Sequence, residues 1–446
     1  MRVAIFTEVY LPAINGVVTH VKTLKEGLEA LGHKVLIVTA DSNVKKIQTS
    51  DDVMYCPAIK LKKIYNFDLA SPISVDRVKK IKEFDPDIIH IHNEFGIGFS
   101  GLMISKMLKV PLVYTLHTMY DDYVYYVANK HFCRFVTSAS HKYAKALANA
   151  ASAITGPSKK VEEYFRNCGV KKQVNVIPNT VEVDRFRRDA ADPQRVAEIQ
   201  KEFGFDEKDI VACFCGRMGQ EKNIALLLDY WAQTVKHDDH LKLLLIGDGP
   251  LLEEHKKQAE DLHIDDMVKF AGRIEHMEII PYYACCRLYI TASLTECHSM
   301  SMLEGMSMEL PVLSIRDELN ADQIEEGESG YMFSNAEEMY KHLCEFRDMP
   351  KEQLEEFGKH TRQCIATAGA EQLASNILSI YYSVIEQARQ KAIAREITKK
   401  PRKTLSEKKY KTDKIKTEKK TKARVHKVKK VKKIKSAKSK ELKEIK

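Results

Sequence analysis

Apolar residues in the first 180 positions follow two alternating rhythms. Short runs at 3–6 (Val-Ala-Ile-Phe), 35–39, 88–91, 112–116 and 153–155 are almost wholly apolar, the pattern of strands covered on both faces. Between the first two runs, Val17, Val21, Leu24, Leu28 and Leu31 recur at spacings of four and three. That spacing sets them on one face of a helix, which Gly32 stops. The alternation restarts after a connector around 178–205, with apolar runs at 210–215, 243–246, 268–270, 288–290 and 311–315. Strands alternating with helices predict parallel, doubly wound sheets, and the restart predicts two Rossmann-like domains in place of one large sheet. The spacing predicts a long closing helix over 371–395.

With 446 residues and 44% hydrophobic content, the chain can bury more than one core. No apolar run approaches the ~18 residues of a membrane span, and the strand-like 3–6 follows Met1 so closely that no signal peptide is expected. The ten cysteines are scattered. Cys213/Cys215 and Cys285/Cys286 lie in strand or helix patterns without zinc-ribbon spacing, so reduced thiols in a cytosolic chain are expected.

Charge changes the picture more. The net +9 divides into +8 over 1–178, −16 over 179–395 and +17 over 396–446. The last stretch lacks apolar clustering and reads as a basic, disordered tail suited to an anionic membrane surface. A nucleic-acid binder would explain the tail but neither the acidic second half nor the loops at the strand ends, so no nucleic-acid partner is expected.

The most informative stretch follows the run at 288–290. A polar loop carrying Glu296 leads into a helix through Met302, Leu303 and Met306, with Ser299 or Ser301 as N-cap and Glu304 within its first turns. Between the two glutamates, the free N–H groups of the helix start form an anion site. One carboxylate can bind sugar hydroxyls, the backbone a phosphate, and the other carboxylate a ribose diol. The blander alternative is that both acids merely complement a helix dipole.

Gly216-Arg217 and Lys222 follow the first strand of the second half and bring two cations to one strand end, where they could neutralise a diphosphate; the competing reading is a solvated turn. Asn15-Gly16 occupies the matching loop of the first half, and Gly16 would let backbone approach the same group. Gly247-Asp248-Gly249-Pro250 reads as a turn and helix start. His117 ends the strand at 112–116, where it could line a reaction centre, with Asp121, Asp122 and Tyr123 placed to orient an acceptor. His90 and His92 face the same way on a strand, but no third ligand is evident, and no metal is expected.

Together these marks resemble the retaining glycosyltransferases of GT-B architecture that carry the Glu-x7-Glu motif, in the segments 12–20, 176–179, 216–222 and 245–250 and at Glu296 and Glu304. The resemblance covers 2–395. It implies two Rossmann-like domains facing a cleft: an acceptor domain over 1–178, a nucleotide-sugar domain over 179–375, and a closing helix over 376–395 before the tail at 396–446. Carried over by position, Arg217 and Lys222 would hold the diphosphate, and Glu304 the ribose. Glu296 with Cys297, His298, Ser299 and Met300 would hold the sugar and distal phosphate. Arg273 and Ile274 would lie near the base, Gly16 by the phosphates and His117 at the reaction centre.

The family also implies retention of anomeric configuration, no cofactor and no bound metal. Two departures from its pattern stand out: Cys297-His298 stands where many relatives carry a small residue, and Thr180 replaces a glycine. The runs at 94–98 and 117–123 look like bacterial enzymes that glucosylate diacylglycerol. Lys45, Lys46, Lys60, Lys62, Lys63, Lys79, Lys80 and Lys82 make the first domain basic. The expectation is transfer of glucose from UDP-glucose to diacylglycerol at the inner face of the cell membrane. A GDP-mannose-dependent phosphatidylinositol mannosyltransferase is the nearer alternative, and a sugar-nucleotide epimerase the more distant one.

Overall fold

The apolar runs of the first half can be buried on both faces at once, and in the computed structural model they are. The structure describes residues 1–13, 15–61, 67–119, 121, 130–319, 321–366, 369–398 and 421. Nine strands form the first sheet: β1 (Arg2–Phe6), β2 (Lys34–Asp41), β3 (Gln48–Ser50), β4 (Val53–Leu61), β5 (Phe67–Ala70), β6 (Ile88–Ile91), β7 (Leu112–Thr115), β8 (Ala153–Gly156) and β9 (Val174–Val176). Their order is β3-β4-β2-β1-β6-β7-β8-β9, with β5 beside β4. All pairs are parallel except β3–β4 and β4–β5. The second sheet is wholly parallel, in the order β12 (Val268–Gly272), β11 (Leu241–Ile246), β10 (Ile210–Cys215), β13 (Leu288–Thr291), β14 (Val312–Ile315), β15 (Gly330–Phe333).

Helices cover both faces of each sheet. The first of them, Gly16–Ala30, buries Val18, Val21, Leu24 and Leu28, while Leu31 becomes its half-exposed C-cap. Two apolar clusters flank each sheet. One cluster of the first sheet is completed from the far end of the chain. Leu373, Ala374, Ile377, Leu378 and Tyr381 of the helix Ala370–Thr398 pack there, and Tyr381 Oη lies 2.7 Å from His90 Nδ1. The same helix continues through Thr398, and its described residues from Glu386 belong to a separate unit.

Five strands carry no clear apolar run: β3, β4, β5, β9 and β15. Pro57 interrupts the pattern of β4 because it cannot donate to a ladder. It sits where β4 changes partners, paired with Asp41 of β2 before the strand turns to β5 from Ala58.

Gly27 lets the last helix approach the first. A Cβ there would lie 2.2 Å from the Ala370 carbonyl oxygen and 2.9 Å from Ala374 Cβ. Overpacking against backbone costs about 1–3 kcal/mol. Gly27→Val should therefore lower the urea midpoint of unfolding, with Gly27→Ala intermediate; an unchanged midpoint in both would mean that the contact is dispensable.

Candidate active site

Strand β10 ends at Cys215, and the loop beyond it is braced from below. Gly247, with φ of +137°, packs so tightly that a Cβ would lie 1.9 Å from the Gly216 carbonyl oxygen. The Met218 N–H donates to Asp248 O, and the Leu251 N–H to Met218 O, both at 3.0 Å. The Gly247–Pro250 turn thus supports the loop bearing Arg217 and Lys222.

That loop is also stitched to the one following β13. The hydroxyls of Ser293 and Thr295 donate to Glu221 O at 3.1 and 2.9 Å, and Asn223 Nδ2 donates to Ala292 O at 3.2 Å. The stitching brings Lys222 Nζ to 2.5 Å from Glu296 Oε1. Arg217 turns to buried Glu221, 2.6 Å away.

Ser299 caps the helix Met300–Ser307, its Oγ accepting the Met302 N–H at 3.4 Å. Opposite it, Asn15 caps the helix Gly16–Ala30 by accepting the Val18 N–H at 3.0 Å. A Cβ on Gly16 would lie 3.4 Å from Met300 Cγ. Two helix N-termini therefore meet across the cleft between the sheets, and each favours an anion.

Glu304 is buried, with His276 Nε2 donating to one oxygen at 2.8 Å and Tyr283 Oη to the other at 3.2 Å. Neither partner stands out in sequence, because each is more than 20 residues from Glu304. Arg273 is exposed and pairs with Glu275 at 3.1 Å, while Ile274 packs against the second domain's core. Cys297 packs against the first domain's core, across the cleft from its own sheet. Asn179 of the connector donates from Nδ2 to His298 O at 2.9 Å. Lys160 reaches over from the first domain to Leu294 O and to Asp317, 2.6 Å away.

His117 lies at the cleft with two further imidazoles. Its Nε2 is 2.9 Å from His92 Nδ1, and its ring meets His20 edge-on at 4.7 Å. His20 Nδ1 is 3.0 Å from Asn179 Oδ1. His90, by contrast, turns away to Thr115 and Tyr381. Burial lowers the pKa of all four, His20 to about 4, so the cluster is neutral at pH 7. Asp121 pairs with His141 at 2.7 Å, on the rim of an open groove of 490 Å³ that Arg134, His141, Lys142 and Lys145 line. Asp122 and Tyr123 lie outside the described residues.

Two parallel-sheet domains facing a cleft of this kind are those of a GT-B glycosyltransferase. Among solved structures, an Anabaena protein, HepE, in complex with UDP-glucose, superimposes with a TM-score of 0.66 at 16% identity, covering 86% of this chain and all of that one. The sequence model for Glycosyltransferase Family 4 matches residues 14–185, and that for Glycosyl transferases group 1 matches 196–364. The alpha-monoglucosyldiacylglycerol synthase of Acholeplasma laidlawii is 30% identical over 88% of this chain and 99% of its own length. A GDP-mannose-dependent alpha-mannosyltransferase of Corynebacterium glutamicum is 23% identical over 74% and 76%. The chain belongs to the glycosyl transferases group 1 family.

Behind the first domain's wall sits a carboxylate that the apolar pattern did not flag. Glu8 is 1% exposed and accepts the N–H groups of Ala70 and Ile97 at 2.8 and 2.5 Å. Burial outweighs these donors and nearby Arg77, and raises its pKa from 4.5 to about 7. Between those values the folded chain holds a proton that the unfolded chain has lost, so this contribution to stability declines as pH rises toward 7. The shift is equivalent to about 3 kcal/mol at most. Measured against Glu8→Gln, which does not titrate, the wild-type unfolding free energy should fall between pH 4.5 and 8. A difference independent of pH would show that folding does not raise the Glu8 pKa.

Proposed function

We propose that the protein transfers glucose from UDP-glucose to diacylglycerol with retention of anomeric configuration, working at an anionic membrane surface. The observation that carries the donor half is the meeting of the Gly16 and Met300 helix N-termini beside the Lys222–Glu296 pair. A diphosphate fits between such N-termini, with Lys222 and Arg217 neutralising the charge that develops as the sugar–oxygen bond breaks. Binding then exchanges partners: Lys222 leaves Glu296 for the diphosphate, and Glu296 with the backbone of 297–300 takes the sugar hydroxyls. Glu304, held by His276 and Tyr283, accepts from the ribose. The acceptor hydroxyl attacks on the face the diphosphate leaves, and its proton passes to the leaving oxygen. The products are a glucoside and UDP, with no protein nucleophile, cofactor or metal required.

Glucose and diacylglycerol are taken from the relative of 99% coverage. Charge supports the lipid surface, through the basic first domain, the cationic groove by His141 and the +17 stretch at 396–446. Among the described residues, no helix is long and apolar enough to cross a membrane. A mannosyl donor is the second reading, favoured by the mannosyltransferase similarity. Mass spectrometry of products from a UDP- and GDP-sugar panel with mixed lipids separates the two.

Glu296→Ala and Lys222→Ala should each lower turnover by roughly 10²–10³-fold with unchanged circular dichroism; near-normal rates in both would remove the site. EDTA should leave turnover unchanged, and loss with recovery on Mn²⁺ would contradict the metal-free scheme. Deleting 396–446 should weaken sedimentation with anionic vesicles but leave UDP binding intact. Each Lys or Arg contributes up to about 1 kcal/mol near an anionic leaflet, screened over about 8 Å at physiological salt. If the deletion removes only RNA or DNA binding, the tail serves nucleic acid.

A further inference from the structure

His20, His92 and His117 come from three separate segments: the first helix, the loop after β6 and the loop after β7. One ring nitrogen of each lies within 4.8 Å of one on each of the others. The network around them fixes where some lone pairs point. Asn179 donates from Nδ2 to His298 O, so its Oδ1 faces His20 and can only accept. His20 must then carry its proton on Nδ1, which leaves a lone pair on Nε2. That Nε2 is buried with no protein partner, and so is His92 Nε2. A pair of buried imidazole nitrogens without partners is uncommon, because protein interiors satisfy nearly all such groups.

We propose that these three imidazoles form a binding site for a divalent transition-metal ion of the zinc class, and that the bound ion inhibits the enzyme. Neutral imidazole is the preferred nitrogen ligand of zinc, and three histidines with an open fourth position make a complete protein contribution. Tetrahedral Zn–N bonds of 2.0–2.1 Å set ligand nitrogens about 3.4 Å apart, a closure within the reach of side-chain rotation. The His20 N–H to Asn179 bond is the outer support that a ligating histidine needs to hold its tautomer and ring orientation. Hard ions such as Mg²⁺ prefer oxygen and should bind poorly.

The ion would occupy His117 and draw it from the cleft. The Asn179–His298 bond would also link occupancy of the site to the loop assigned to the sugar. This effect on turnover rests on the proposed function; binding of the ion does not. The requirement for metal-free turnover and inhibition by zinc are compatible, since the site lies on imidazoles and not at the diphosphate.

The test uses the full chain, stripped with EDTA and then loaded with zinc. After gel filtration, elemental analysis should find one zinc per chain, and Co²⁺ in its place should give the intense visible absorption of a four-coordinate site. Zinc should raise the melting temperature of the wild type. His92→Gln and His20→Ala should abolish retention, and Asn179→Ala should weaken binding about 10–100-fold while leaving all three ligands present.

Glu325, His360 and Cys364 form a second group of possible donors, so His360→Ala serves as the control and should change nothing. Retention lost only in His360→Ala, or a wild type that retains no zinc, overturns the site. Wild-type retention unaffected by His92→Gln, His20→Ala and Asn179→Ala does so as well. Stoichiometric zinc with undiminished turnover overturns the inhibition. In none of these outcomes is the glucosylated product affected, so the transferase reading is judged separately.

Discussion

A parallel sheet ends all its strands at one edge, and the site depends on that constraint. The loops after β10 and β13 are neighbours because their strands are paired and point the same way. Lys222 and Glu296 meet for that reason, although 74 residues separate them. The first sheet obeys the same rule. Its helix N-terminus at Gly16 and its histidines at 92 and 117 collect at the ends of β1, β6 and β7. Ligands in open α/β sheets bind beyond these carboxyl ends because helix N-termini and side chains with free ends gather there. The cleft is therefore a consequence of strand direction, with the individual residues tuning it.

Two cations of the cleft are paired with carboxylates. Lys222 rests on Glu296 and Arg217 on Glu221, and both pairs are partly shielded. Such pairs contribute little net stability, since loss of hydration offsets much of their attraction. They hold two long side chains in defined positions, so under the proposed function less rotamer freedom would be lost on binding a diphosphate. Backbone bonds do the rest: the hydroxyls of Ser293 and Thr295 on Glu221 O, and the glycine contact between Gly247 and Gly216, fix the loop independently of charge.

Much of this was legible from the chain. Predominantly apolar runs located ten strands, and the restart of their alternation separated the two sheets. Glu296, Arg217 and Lys222 drew notice as charged residues in loops after apolar strands, and Glu304 through its eight-residue spacing from Glu296. Residues whose meaning lies in distant partners did not stand out. His276 and Tyr283 matter through Glu304, Glu8 through the N–H groups of Ala70 and Ile97, and His20 through Asn179, 159 positions away. His90 and His92 read as a pair with no third ligand evident. The structure turns His90 to Thr115 and Tyr381 and sets His92 beside His20 and His117, a grouping that local spacing cannot reveal. The strands β3, β4 and β5, grouped at one side of the first sheet, escaped because polar residues and Pro57 erase the apolar run that marks the other strands.

The return of the last helix to the first sheet also constrains how the protein can be made. Tyr381 and its neighbours cover an apolar face whose own strands are complete by Val176. A ribosome adding 5–20 residues per second needs roughly 10–40 s to span the intervening 200 or so positions. Throughout that interval the nascent first domain presents a strip of uncovered Val, Ile and Leu, with His90 lacking its Tyr381 partner. The second domain can finish first even though it is synthesised later, because it borrows nothing from the chain's end. For this fold, order of synthesis and order of completion are reversed, and the period of greatest exposure to chaperones falls on the half of the molecule that emerges first.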